Sequence, residues 1–220
     1  MRRLLVLFLS VPLVLGTLTI PAEAASTRSA NFTRTYTWHS KPLKRWFKLE
    51  LTGKIKAKSW STGSGRTTTH HFGKPELLSP RLKVTVYQNS ALTKKAKVSK
   101  LELRQFHYDK SCKTKPSFSV SASTSKALSI GASFTRHCST FTTAYRASTY
   151  GKAATYVQST TGAAVVWKKK HVSWAGRPGN PPTPKKTVCV TPEFELQPYV
   201  GARKDDLLKS NFKDICISNK

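Results

Sequence analysis

From Phe32 to Trp167 apolar and polar residues alternate with a period of two, the pattern of strands that bury one face and expose the other. Phe32-Thr33-Arg34-Thr35-Tyr36-Thr37-Trp38 sets aromatics against threonines, and Leu82-Lys83-Val84-Thr85-Val86 and Leu101-Glu102-Leu103 repeat the habit. In the Ser/Thr-rich stretch from Ser117 to Trp167, Phe118, Val120 and Ala122 share one phase, and Leu128, Ile130, Ala132 and Phe134 share the next. Breaks at Thr124-Ser125-Lys126, Tyr150-Gly151-Lys152 and Thr160-Thr161-Gly162 fall near the spacing of roughly 8 to 12 residues expected of a meander. The pattern predicts an all-β domain over residues 26–175, an antiparallel sandwich or barrel-like meander.

Punctuation divides the rest. Ser61 to Arg66 reads as a flexible loop, and residues 176–186 form a proline-rich linker, because proline cannot donate to a sheet ladder. Beyond it a tail of residues 187–220 is too small to fold alone and should dock on the β domain. Within the tail the spacing predicts an extended Val188 to Tyr199, then one helix over Asp205 to Ile215. There Leu208, Phe212, Ile215 and Cys216 share a helical face, and Lys209 follows Asp205 by four residues, at pairing distance.

The N-terminus changes the setting of all this. Arg2 and Arg3 precede a leucine-rich run that ends at Ala22-Glu23-Ala24, the form of a signal peptide cleaved after residue 24. Pro12 and Gly16 interrupt the run, which weighs against a spanning anchor. The mature chain is then expected to be secreted. In an oxidising compartment the four cysteines favour disulfides over zinc. Three pairings are formally possible; the proline-rich break between the pairs favours Cys112–Cys138 and Cys189–Cys216.

Charge then narrows the partners. The formal net charge of +28 exceeds what solubility needs and points to polyanions. No Asp or Glu occurs between Asp109 and Glu193, so the middle of the chain carries a field of one sign. The most ordered basic feature is Lys44 to Trp60. Read as a strand, it places Phe47, Leu49, Leu51, Ile55 and Ala57 in one phase, and Lys44, Trp46, Lys48, Lys54, Lys56, Lys58 and Trp60 in the other. Ammonium groups every second residue stand about 6 to 7 Å apart, the scale of a polyanion backbone, and the tryptophans are placed to stack on bases or sugars. The plainer reading is an edge strand protected against aggregation by its lysines. Lys168, Lys169 and Lys170 form a second basic element, followed by His171 and, beyond the linker, by Lys185 and Lys186.

The leading expectation is a secreted cationic protein that binds an anionic polymer or surface: cell-wall polyanion, glycan, nucleic acid or acidic lipid. Two rivals remain. The uncharged Ser/Thr alternation suits a pore-forming β-hairpin that faces water on one side and lipid on the other. His70, His71, His107, Asp109 and His137 supply acids and bases for a metal-independent nuclease. The sequence contains no P-loop, dinucleotide fingerprint, HExxH or GxSxG motif, so no cofactor or metal is expected.

Overall fold

A computed structural model describes residues 26–64, 68–107, 113–118, 132–138, 141–159, 164–168, 170–176, 184–205 and 207–220; for 113–118, 132–138, 141–145 and 164 it describes the backbone alone. The described chain is antiparallel β-structure and turns, with no helix. The expected signal peptide, most of the expected linker and Cys112 lie outside the described residues.

Three long strands, β1 (Thr27–Ser40), β2 (Arg45–Thr62) and β3 (Thr69–Tyr87), form a meander. There follow β4 (Lys100–His107), β5 (Lys113–Phe118), β6 (Ala132–Cys138), β7 (Phe141–Tyr150), β8 (Thr155–Ser159), β9 (Ala164–Val166) and β10 (His171–Ala175). The C-terminal part supplies β11 (Thr187–Val190), β12 (Glu193–Val200), β13 (Arg203–Lys204), β14 (Leu208–Asn211) and β15 (Ile215–Ser218). The main sheet runs β1-β2-β3-β9-β7-β4-β12-β13. Strands β8 and β10 also pair with β3, β14 pairs with β12, and β5 and β6 extend from β7. A second, two-stranded sheet joins β11 to β15.

Alternation explains why these segments are strands. Phe47, Leu49, Leu51, Ile55 and Ala57 of β2 are all buried, as are Leu77, Leu82, Val84 and Val86 of β3. They share one core with Leu101, Leu103, Phe194, Leu196, Ile215 and Ile217, so the main sheet turns back over itself and the tail covers it. Tyr36 of β1 meets Phe194 of β12 edge-on at 5.1 Å, and Phe194 meets Phe212 at 4.8 Å. Burial of each large side chain contributes about 1.5 to 3 kcal/mol.

Strand β3 contains Pro75 and Pro80, which a central strand excludes unless the ladder is interrupted. It is interrupted twice. Against β2 the register slips between Thr52 and Lys54 and again between Lys56 and Lys58, so β3 carries an extra residue at each place. Lys74 and Ser79, beside the two prolines, take positive φ.

The tail corrects one expectation. No helix forms over Asp205 to Ile215; Leu208–Asn211 is strand β14 and Ile215–Ser218 is β15. Ile215 and Ile217 are buried while Cys216 between them is exposed, a period of two that competes with the helical spacing. A short isolated helix is marginal in water. β12 instead offers an open ladder to Leu208–Asn211, and that pairing wins. Lys209 accordingly pairs with Glu195 at 2.9 Å and not with Asp205. The tail is also knit into the larger sheet, because β12 lies between β4 and β14.

Cys189 and Cys216 are cross-strand partners joined by a disulfide. The expected partner bond, Cys112–Cys138, involves a residue outside those described; the neighbouring Lys113 and His137 are cross-strand partners. A non-reducing peptide map should recover both links. Replacing Cys189 and Cys216 together by alanine releases a closure spanning 27 residues, and urea titration should show a loss of about 3.5 kcal/mol on the loop-entropy scale. An unchanged midpoint would mean that β11 and β15 are held by packing alone.

Candidate functional site

The basic row lies on a central strand. β2 is flanked along its length by β1 on one side and β3 on the other, so its lysines do not guard a sheet edge. Because Phe47, Leu49, Leu51, Ile55 and Ala57 take the core face, the alternate positions must face away from it.

The row divides into two unlike ends. Lys44 sits in the β1–β2 turn at positive φ, and Trp46 stacks on His39 at 4.4 Å. Lys48 pairs with Glu50 at 3.1 Å, and Lys83 from β3 reaches the other oxygen of that carboxylate at 3.3 Å. The hydrogen bond from Lys48, reinforced by Lys83, holds the Glu50 carboxyl below its usual range against the opposing effect of burial. This end is largely neutralised. Lys54 and Lys58 are exposed and Lys56 half-buried, and none has a carboxylate within ion-pair distance among the described residues. Arg81, opposite Thr52, adds an exposed cation beside them.

The second basic element joins the open end. In register across three strands lie Lys58, Gly73 and His171. Gly73 has no side chain, and a Cβ there would come within 2.4 Å of His171 Cα and 2.5 Å of the Lys170 carbonyl. Only glycine lets β10 approach this closely. The Lys74 amide then donates to that Lys170 carbonyl at 2.7 Å. Lys168 and Lys170 are exposed in the turn before β10, whereas Lys169 lies outside the described residues. The structure thus gathers Lys54, Lys56, Lys58, Lys74, Lys168 and Lys170 toward one end of the sheet. Lys44, Trp46 and Lys48 stand apart, Lys44 up to about 45 Å along the strand from Lys58.

An imidazole–indole cluster caps the open end. Trp60 stacks on His71 at 5.0 Å with planes 9° apart, while His171 meets Trp60 edge-on at 5.6 Å. The bulge at Lys74 directs its Nζ over the Trp60 ring at 4.4 Å. Both His71 nitrogens have hydroxyl partners, Thr62 at 2.8 Å and Ser173 at 2.8 Å. Desolvation, and then repulsion from His171, His70 and Lys74, lowers the His71 pKa. His71 and Ser173 are 102 residues apart in sequence. Nothing in the alternation pattern links them, so only the β3–β10 pairing reveals the cluster.

His107 does not converge on it. His107, at the end of β4, is wholly enclosed in a polar layer between β4, β7 and β8. Gln105 Nε2 donates to Gln158 Oε1 at 2.8 Å, and Gln158 Nε2 donates to Ser148 Oγ at 2.7 Å. His107 Nε2 lies 3.3 Å from Gln105 Oε1, and Nδ1 has no partner. Burial, with a smaller repulsion from Arg146, takes its pKa down to about 4. A neutral histidine shut in the core does not reach a bound polymer. Asp109 and the His137 side chain lie outside the described residues. Among the described residues no cluster of three or more His, Cys, Asp or Glu could hold a metal.

No protein family matches this chain, and no curated protein or solved structure matches it either.

The enclosed histidine has a measurable consequence. Unfolded, His107 takes a proton near 6.5; folded, only near 4. Between these values the unfolded chain binds more protons, so stability falls as pH drops from about 6.5 and the loss is complete below about 4, amounting to about 3 kcal/mol. The lowered carboxyls of Glu50 and Glu102 act below 4.5, so the upper window belongs mainly to His107, with His71 adding a drift of the same sign. Urea midpoints from pH 7 to 4.5 should fall for the native chain and stay nearly level for His107→Gln. A slope retained by that variant would place the titrating group elsewhere.

Proposed function

We propose that this is a secreted cationic protein that binds anionic polymers or surfaces through the Lys54–Lys56–Lys58 end of β2. The observation that carries the reading is the run of three ammonium groups on a central strand, none within ion-pair distance of a carboxylate among the described residues, with Glu76 of β3 the nearest in register, opposite Lys56. The packed strand fixes the backbone from which they project, so their spacing is set before a polymer binds. Lys74, Lys168 and Lys170 widen the cationic patch, and Glu50 sets its boundary. The signal-like N-terminus and the Cys189–Cys216 disulfide support an oxidising, extracellular setting. The tryptophans contribute less directly than their positions in the sequence suggest, because Trp46 and Trp60 each have an imidazole stacked against them.

A second reading, insertion of a β-hairpin into membrane, is favoured by one observation. β5 and β6 pair Phe118 with Ala132 and Ser117 with Ser133, joining like to like. The uncharged alternation of Val120, Ala122, Leu128 and Ile130 lies in sequence between these two strands, outside the described residues. Such hairpins satisfy their backbones in lipid only by closing a barrel with other copies.

Retention on immobilised heparin, polyphosphate and duplex DNA should fall steeply with salt. On the duplex, Lys54→Gln, Lys56→Gln and Lys58→Gln together should flatten the log–log slope by about 0.9 per lost phosphate contact. Lys44→Gln should change it little, and equal effects from the two ends would contradict the boundary drawn at Glu50.

Dye-filled vesicles rich in phosphatidylserine separate the two readings. A surface binder coats them without leakage, whereas insertion releases dye and leaves detergent-resistant oligomers. Leakage that disappears when Val120 and Ile130 are both changed to Asp would establish the second reading.

A further inference from the structure

At the same end of the sheet, but on its other face, the hydrophobic core gives way to a polar cleft. The core-facing positions of β2 pass from Ile55 and Ala57 to Ser59 and Ser61, and those of β3 from Phe72 to His70. Trp174 of β10 stands opposite His70, Arg28 of β1 is the partner of Ala57, and Asn219 and Lys220 close the cleft from beyond β15. The volume is about 360 Å3. Ser26, Trp60 and His71 complete the lining.

The lining is organised. His70 stacks on Trp174 with ring centres 5.7 Å apart and planes 26° apart, and the Ser61 hydroxyl lies 2.9 Å from His70 Nδ1. This fixes the indole at the wall. Arg28 is exposed and has neither a hydrogen bond nor an ion pair among the described residues. The cleft therefore combines a held aromatic plane, several hydroxyls and an uncommitted guanidinium. Its size is near the lower end of the roughly 300–1,000 Å3 of ligand pockets.

We propose that this cleft binds one acidic sugar residue, a carboxylated pyranose, and that the polymer recognised by the basic face is an acidic glycan. The inference rests on the polyanion reading for the polymer but not for the cleft itself. Arg28 would take the carboxylate through paired N–H donors. The Trp174 indole would lie against the apolar C–H face of the ring, and Ser59 and Ser61 would meet its hydroxyls, which donate as well as accept. A bare phosphate uses neither the aromatic wall nor the serines, and a neutral sugar leaves Arg28 without a partner.

The test titrates the intact mature chain with glucuronate, glucose and inorganic phosphate, following tryptophan fluorescence and the Trp174 indole signal in NMR. Saturable glucuronate binding is expected, at least tenfold tighter than glucose, with phosphate unable to displace it. Arg28→Gln should reduce glucuronate affinity to the level of glucose, and Trp174→Ala should weaken both. Lys54→Gln, Lys56→Gln and Lys58→Gln together should leave glucuronate binding intact while reducing heparin retention, so the cleft and the basic face fail separately. Equal binding of glucose and glucuronate, full displacement by phosphate, an indifferent Arg28→Gln variant, or no saturation would each overturn the proposal.

Discussion

The apolar face of β2 has to be covered along its full length, and most of the architecture follows from how this is done. β1 and β3 satisfy the backbone of β2 on both sides, but they leave Phe47, Leu49, Leu51 and Ile55 needing a second layer. That layer comes from distant sequence: β4 and β12 of the same folded-over sheet, and the small β11–β15 sheet. Phe194, Phe212, Ile215 and Ile217 fill the space, while Arg34 donates two hydrogen bonds to the Asp214 carbonyl at 3.0 and 2.8 Å to tie β1 to the tail. The C-terminal segment is thus part of the core.

Because one phase of β2 is committed to the core, the other is presented to solvent without any further provision. Function at such a face depends on which charges are neutralised, and Glu50 is the carboxylate that pairs there, while Glu76 stands opposite Lys56 without an ion pair among the described residues. Glu50 takes up Lys48 and Lys83, and beyond it Lys54, Lys56 and Lys58 remain open. The bulges that accommodate Pro75 and Pro80 in β3 reinforce the asymmetry, since one of them turns Lys74 toward Trp60. A uniform lysine ladder in the sequence becomes a directional patch.

What could be read from the sequence was whatever depends on near neighbours. The burial of Phe47, Leu49, Leu51, Ile55 and Ala57 is a period-two signal within one strand, and the all-β class follows from many such strands. The apparent helix at Asp205 to Ile215 shows the limit of that method. Leu208, Phe212 and Ile215 satisfy a helical spacing, yet Ile215 and Ile217 satisfy a strand spacing as well, and the open ladder of β12 resolves the choice. The patch itself was only half legible. Gly73 matters because β10 passes within contact of it, and His71 meets Ser173 across 102 residues. Pairing order of that range has no local signature.

The buried polar layer at His107 stands in contrast to this economy, since Gln105, Gln158, Ser148 and His107 occupy space that apolar side chains could fill. Each hydrogen bond there contributes only about 1 kcal/mol net, while an unpartnered buried nitrogen costs at least as much. The layer adds little stability, and at His107 Nδ1 it gives some away. Its position offers a reason. β4 ends at His107 and β7 lies beside it, so the layer forms the base from which β5 and β6 extend. An apolar base would hold that hairpin's root regardless of pH. A root closed over a histidine with a pKa of about 4 weakens as the surroundings acidify. The attachment of β5 and β6 thus rests on a histidine that protonates only when the layer opens, while the core beneath β2 contains no buried histidine among the described residues.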